Sequence, residues 1–529
     1  MSKKIVTLLL ALTIVLAFTA CGPAASQLPA GTDTPAATDA PEDSAAPVES
    51  APASELTPYE ITYYLYSIKT SDQQELVEKA INEIIQPKFN ATVDFVMITG
   101  ADWSEKAIVP LRAGVKIDAF WTPEWQNLME NVNAGSLLPL DDASGKYGDL
   151  IHTYAPQTAE DLGPFYTGNI IRGNLYCVAT IKETGVKTAF IWNKAYVDKY
   201  NIPIQDIKTL EQLEPVIYEF RKNEPDVYPV FTIGNGRFGD TPFLAPVSNI
   251  DGIAMLKGEP NATDGELFSY WDRPETESYL ATMRKWYKDG MLHPDSALSS
   301  YNEYDMLNSG QFLLESHGHK GGQVKSQELM SQSGNPDLKL EEVIVESSAG
   351  FNTTSYSAGA AYGIPVTSQD PARAMMFINE IYQNQAVLNL MTWGVEGVHY
   401  TLSGDGRAVP TEMNGWSDSH GGFWSIGPQF KQIIGISEDA KKYEQMKALC
   451  DSFTNHESLG FRMDPSGFEN EYAALANVKS TYSRALLTGA LDEAGYKEAL
   501  TRMTAAGLPK VLEEAQKQYA AFKAAKFGQ

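Results

Sequence analysis

Residues Tyr59 to Ile98 constrain the fold most. Tyr59 to Tyr66 (YEITYYLY) is dense in β-formers. Ser71 to Ile85 carries Leu76, Ala80, Ile81 and Ile84 at helical spacing, behind a Ser71/Asp72 cap and ahead of Pro87. Ala91 to Ile98 (ATVDFVMI) reads as a second strand. A strand, a helix and a strand at this spacing form a βαβ unit, which implies a parallel sheet covered by helices. A helix from Asp102 then leads through Leu111-Arg112-Ala113-Gly114 to a short buried strand, Asp118-Ala119-Phe120, ending in Trp121-Thr122-Pro123-Glu124-Trp125. Open α/β sheets hold ligands beyond the carboxyl ends of their strands, so an aromatic pair at that place is a candidate contact surface.

Ahead of this region the chain has a different character. Lys3 and Lys4 precede an uncharged apolar run, Ile5 to Ala20. A bilayer span needs roughly 20 apolar residues and usually flanking charges, so the shorter run reads as a secretion signal occupying residues 1–20. Thr19 and Ala20 directly before Cys21 resemble a bacterial lipobox, with Phe18 where a leucine is usual. That resemblance implies diacylation of Cys21, and acyl chains worth ~0.8 kcal/mol per buried methylene hold a protein on a membrane without a spanning helix. Residues 21–58 continue as Ala, Pro, Ser, Thr and acidic residues with no Lys or Arg, a composition expected to form a mobile tether.

About 470 residues follow the tether, more than one core usually holds, so two lobes are expected. A hydrophobic share of 43% supplies them, and a net charge of -26 argues against nucleic acid or an anionic membrane surface as partners. Besides Cys21 only Cys177 and Cys450 remain, too few for a disulfide framework; both read as buried thiols, with their pairing open.

The string "LRAGVKIDAFWTPEWQNLMENVNAGSLLPLDD" resembles the N-terminal lobe of extracellular solute-binding proteins of carbohydrate ABC importers. Lys187 to Tyr200 (KTAFIWNKAYVDKY) is similar to the segment that crosses into the second lobe, and Ala361 to Asn384 (AYGIPVTSQDPARAMMFINEIYQN) to the return segment. Met391 to Tyr400 (MTWGVEGVHY), Trp424 to Phe430 (WSIGPQF) and the stretch "GFRMDPSGFENEYAALANVKSTYSRALLTGALD" resemble a larger lipoprotein subgroup with its own C-terminal domain. The resemblance implies an α/β, two-lobed, periplasmic-binding-protein-like (type II) fold with a hinge and a helical C-terminal region. It places lobe 1 at 59–186 plus about 346–400, and lobe 2 at about 187–345 plus about 401–529. It further implies a monomeric, lipid-anchored receptor on the outer face of the cytoplasmic membrane. Such a receptor captures an oligosaccharide or another small polar solute, hands it to permease subunits, uses no cofactor and performs no covalent chemistry.

A sugar stacks its apolar ring faces on aromatics and pairs its hydroxyls with planar polar groups. Trp121, Glu124 and Trp125 are the first candidates for such contacts. Gly234-Asn235-Gly236-Arg237-Phe238-Gly239, after a strand Tyr228 to Ile233, matches a dinucleotide fingerprint by letter, but Asp240-Thr241-Pro242 follows where a helix should continue. The loop reads either as a cleft-facing loop, with Asn235 and Arg237 meeting hydroxyls, or as a plain turn. His317 lies in Glu315 to Gly322, after a short strand Phe312-Leu313-Leu314, where a strand and glycine-bearing loop border the ligand in the resembled family, and is a further candidate. His317 and His319 have no further ligand at metal spacing, so no metal is expected. Trp393, Glu396, Tyr400, Trp416 and Trp424 suit either binding or lobe packing, and His399 leans towards packing. Stripes at Tyr472, Leu475, Val478 and Tyr482, and at Val511, Ala515, Tyr519 and Phe522, read as core.

No GxSxG, HExxH or Walker A motif occurs, and Gly145-Lys146 is followed by Tyr147. A glycoside hydrolase needs two carboxylates roughly 5–9.5 Å apart. With 67 acidic residues that class stays open on sequence alone, as does a surface adhesin.

Overall fold

The computed structural model describes residues 56–100, 102–234, 236–239, 247–250, 254–257, 267–345, 351–420 and 423–528. The expected secretion signal, Cys21, most of the expected tether and Asn235 lie outside the described residues. Among the described residues, no helix is long and apolar enough to cross a membrane.

Two separate apolar cores define two lobes. The first is built on a five-stranded sheet in the order Ala91–Thr99, Tyr59–Ser67, Ala119–Trp121, Ala361–Gly363, Val178–Ala179. Tyr59–Ser67 runs parallel to Ala91–Thr99 along their full lengths, from Tyr59 opposite Ala91 to Ser67 opposite Thr99. The intervening helix spans Gln74–Phe89 and includes Pro87. It starts three residues later than the sequence suggests, because the Ser71 hydroxyl accepts the Gln73 N–H in a turn ahead of it. Its buried stripe is Val77, Ile81, Ile85 and Phe89, while Leu76 points to solvent. Burying each such side chain is worth about 1.5–3 kcal/mol, which fixes the rotation of the helix on the sheet. Asp118 is wholly buried and accepts from the Tyr59 hydroxyl at 2.6 Å, the Thr62 N–H at 2.9 Å and the Ser368 hydroxyl at 2.6 Å, joining the first strand to the return segment.

The second lobe centres on a three-stranded sheet in the order Leu314–His319, Lys187–Asn193, Leu340–Ile344, antiparallel throughout. The parallel pairing inferred for the chain is therefore a property of the first lobe. Asn193 ends its strand and caps the next helix, Lys194–Tyr200, accepting the Ala195 N–H at 3.1 Å. Residues 228–233 form no strand; Val230 makes single bridges to Leu292 and Leu314. Three long C-terminal helices, Glu469–Leu487, Glu493–Ala505 and Leu508–Phe527, pack into this second core through Leu475, Tyr496, Val511, Ala515 and Tyr519. Gly489, at φ 80°, lets the helix-helix turn press on the Met283 carbonyl, 2.2 Å from where a Cβ would stand.

The expected boundary at about 400 needs correction. Trp416 and Ile426 belong to the first core, and Trp393, Tyr400, Ala408 and Phe423 form a satellite cluster. Helices Pro371–Gln383 and Gln385–Thr392 are met from this later segment by Trp416, whose indole donates to the Met391 carbonyl at 3.2 Å, and by Gly427, which sits against Ile381 and Leu388. Cys177 and Cys450 are both free thiols; Cys177 is buried and Cys450 only partly so.

Candidate functional site

The carboxyl ends of the first-lobe strands carry an aromatic wall. Tyr66, near the end of its strand, stacks on Trp121, the last residue of the next strand, with ring centroids 4.1 Å apart and planes at 20°. Trp125 stands edge-on to Trp121 at 5.0 Å, and Trp424 lies 6.1 Å from Trp125. Trp121 is 0% exposed and Trp125 is 55% exposed, so the first is the footing and the second the open face. The Trp125 indole donates to the Gly359 carbonyl at 2.8 Å, and the Glu124 N–H donates to the Ala358 carbonyl at 2.9 Å, which holds this loop against the return segment.

Charged groups border the wall where the chain crosses between lobes. The Lys182 ammonium stands 5.6 Å over the Trp424 ring and pairs with Glu183 at 2.7 Å. Glu183 also pairs with Lys320 of the second lobe at 3.4 Å, and Lys320 with Glu328 at 3.0 Å. Burial works to raise the Glu183 pKa, but the two ammoniums overcome it and hold the carboxyl at about 2. Burial first, and then the electrostatic influence of Tyr304 of the second lobe, push the Tyr66 phenol well above its ordinary range.

The second-lobe sheet contributes Glu315 and His317 from alternate positions of one strand, hence from one face. Glu315 is fully buried, and among the described residues neither of its carboxylate oxygens has a hydrogen-bond partner. Burial raises its pKa to about 8, against the pull of Lys325 and with help from Glu342 and Glu303. His317 is held well below its usual pKa, chiefly by burial and then by the charges of Lys325, Lys320 and Arg237, while its Nδ1 accepts the Gly318 N–H at 2.7 Å. His319 instead meets Glu342 at 3.1 Å.

The residues anticipated from sequence thus separate. Trp121, Trp125 and Trp424 come together in one wall. Arg237 is exposed, forms a bridge with Ile233 and adds its charge to those acting on His317. Trp393 and Trp416 are corrections. Both are buried with the indole N–H satisfied by a carbonyl, Ile433 at 2.9 Å and Met391 at 3.2 Å, so they are packing residues. Glu396 is exposed beside that satellite cluster. The Glu124 carboxylate is taken up by Arg462 at 2.9 Å. Sequence reasoning missed Tyr66, Lys182 and Tyr304. Tyr66 was findable, since it sits at the carboxyl end of a parallel strand; the two others carry no local signal.

A wall of packed aromatics with Trp125 as its open face, bordered by the Lys182 ammonium over Trp424, suits a ligand with flat apolar faces and many hydroxyls. The sequence profile described as bacterial extracellular solute-binding protein matches residues 80–397, and that of a domain of unknown function (DUF3502) matches residues 457–524. A Streptococcus pneumoniae protein named carbohydrate ABC transporter substrate-binding protein is 25% identical over 467 residues, 87% of this chain and 90% of that one. Among solved structures, the N-glycan transport solute binding protein of Streptococcus pneumoniae in complex with Man5GlcNAc superposes with a TM-score of 0.73 at 21% identity, covering 89% of this chain and 99% of that one. An HMO-binding, ABC-transporter-associated solute binding protein from Bifidobacterium longum infantis superposes at 0.56 with 13% identity, over 88% and 99%. The two-lobed architecture is that of the type II solute-binding fold.

Proposed function

Because the chain belongs to the family of bacterial extracellular solute-binding proteins, we propose that it is the substrate-binding subunit of an ABC importer. It captures an oligosaccharide between its lobes and delivers it to permease subunits in the membrane. The observation that carries this reading is the aromatic wall of Tyr66, Trp121, Trp125 and Trp424 at the carboxyl ends of the first-lobe strands. Sugar rings stack on Trp125 and Trp424, and Lys182 and Tyr304 supply donors to hydroxyls. The names of the relatives support the same ligand class, since the pneumococcal relative is a carbohydrate ABC transporter protein and the solved neighbour holds a mannose-rich glycan.

Capture and release by hinge motion needs no bond-making chemistry, and the protein in this reading is not an enzyme. Acylation of Cys21, with residues 21–58 as a tether, keeps the monomeric receptor at the outer face of the cytoplasmic membrane. The reading is tested by a thermal-shift screen of the purified protein against Man5GlcNAc, other oligosaccharides, peptides and amino acids. Binding to the folded state raises the melting temperature with the logarithm of ligand saturation. Shifts confined to one oligosaccharide series support the reading; shifts with peptides only, or none, overturn it.

A further inference from the structure

The segment leading into the C-terminal helices alternates, strand-like, between two partners. Phe461 and Met463 are buried in the second core, where Phe461 meets Tyr519 with ring centroids 5.0 Å apart. Arg462 and Asp464, at the alternate positions, face the first lobe. The Arg462 guanidinium pairs with Glu124 at 2.9 Å and donates to the Gly168 carbonyl from two nitrogens, at 3.1 and 3.0 Å. Asp464 accepts from Arg172 at 2.8 Å. Upstream, the Thr354 hydroxyl donates to the Ser458 carbonyl at 3.0 Å and accepts the Gly460 N–H at 2.9 Å. Behind, Gln518 of the last helix holds both the N–H and the carbonyl of Asp464 at 2.7 Å. One short stretch of the C-terminal domain is therefore fastened to both lobes at once.

Arg462 is the centre of this fastening. Its side chain is 5% exposed and its partner Glu124 only 15%, so the pair is desolvated and losing one member strands the other's charge. Glu124 immediately precedes Trp125, the open face of the aromatic wall. We propose that Arg462 is a positioning residue through which the C-terminal domain couples the two lobes, setting lobe closure and the Trp121–Trp125 loop together. The coupling of the lobes stands on geometry alone; its effect on sugar affinity rests on the function proposed above.

The test combines small-angle scattering of the sugar-free protein with calorimetry using Man5GlcNAc, on the native protein, Arg462→Gln, Glu124→Gln, the double variant and Arg462→Lys. Arg462→Gln is expected to give a larger radius of gyration and about tenfold weaker binding. Glu124→Gln moves both readouts in the same direction, the double variant is no worse than Arg462→Gln alone, and Arg462→Lys recovers part of the loss. Glu124→Gln, which keeps the shape of the site, serves as the test if Arg462→Gln does not fold. A native radius in the folded variants overturns the coupling whether or not the sugar binds. A native protein that binds no sugar contradicts the proposed function instead, and the scattering then decides the coupling by itself.

Discussion

Tyr66 lies on Trp121 with ring centroids 4.1 Å apart and planes at 20°, joining the ends of two neighbouring parallel strands into one aromatic footing. Trp121 has no solvent exposure and Trp125, four residues on, has more than half its surface free. The two tryptophans of one short loop thus do different work. Trp121→Ala is expected to destabilise the fold by about 3–5 kcal/mol through the cavity it leaves. Trp125→Ala should leave the melting temperature nearly native and cost about 1 kcal/mol or more of oligosaccharide affinity. Thermal unfolding and titration of both variants check this; equal loss of stability in the two contradicts the division.

Trp416 tests the corrected lobe boundary. It is fully buried in the first core with its indole satisfied by Met391. Trp416→Ala should cost about 3–5 kcal/mol of stability, and a variant with native stability and weakened ligand binding would return Trp416 to the site.

Glu315 gives a pH signature. Its carboxyl, raised from 4.5 to about 8, stays protonated in the folded protein where the unfolded chain has already ionised. The folded state then holds the extra proton, so this group's contribution to stability is complete below about pH 4.5 and is lost as pH rises to about 8. Glu315→Gln lacks that loss. Melting temperatures of the variant relative to the native protein are expected to climb between pH 5 and pH 8 and level off above; a flat difference contradicts a buried carboxyl of raised pKa.

Acylation is checked by fractionation. Cys21→Ala should release the exported chain from membranes into the medium or soluble fraction, and retention in the membrane pellet contradicts the anchor.

How far the fold could be read from residues depended on the range of the contacts. The strand, helix and strand from Tyr59 were legible because each carries its own periodicity. The rotation of the helix was off by one position: Leu76 and Val77 are equally apolar, and only the sheet selects Val77. The wall was half legible, since Trp121 and Trp125 follow a strand directly, whereas Trp424 reaches Trp125 from far along the chain through tertiary folding. Trp393 and Trp416 misled because a tryptophan in a loop gives no sign of whether a carbonyl such as that of Ile433 or Met391 will satisfy its indole. Glu124 misled for a related reason. Its partner Arg462 lies 338 residues away, and no local pattern shows such a pair.

A receptor of this kind captures its oligosaccharide reversibly and without chemical change. Isothermal titration with Man5GlcNAc and a panel of other oligosaccharides, followed by mass spectrometry of the recovered sugar, tests it most directly. Saturable binding of one sugar series at one site per chain is expected, abolished or weakened by Trp125→Ala, with the sugar recovered intact. The absence of saturable heat across the panel, or recovery of shortened glycans, would contradict it.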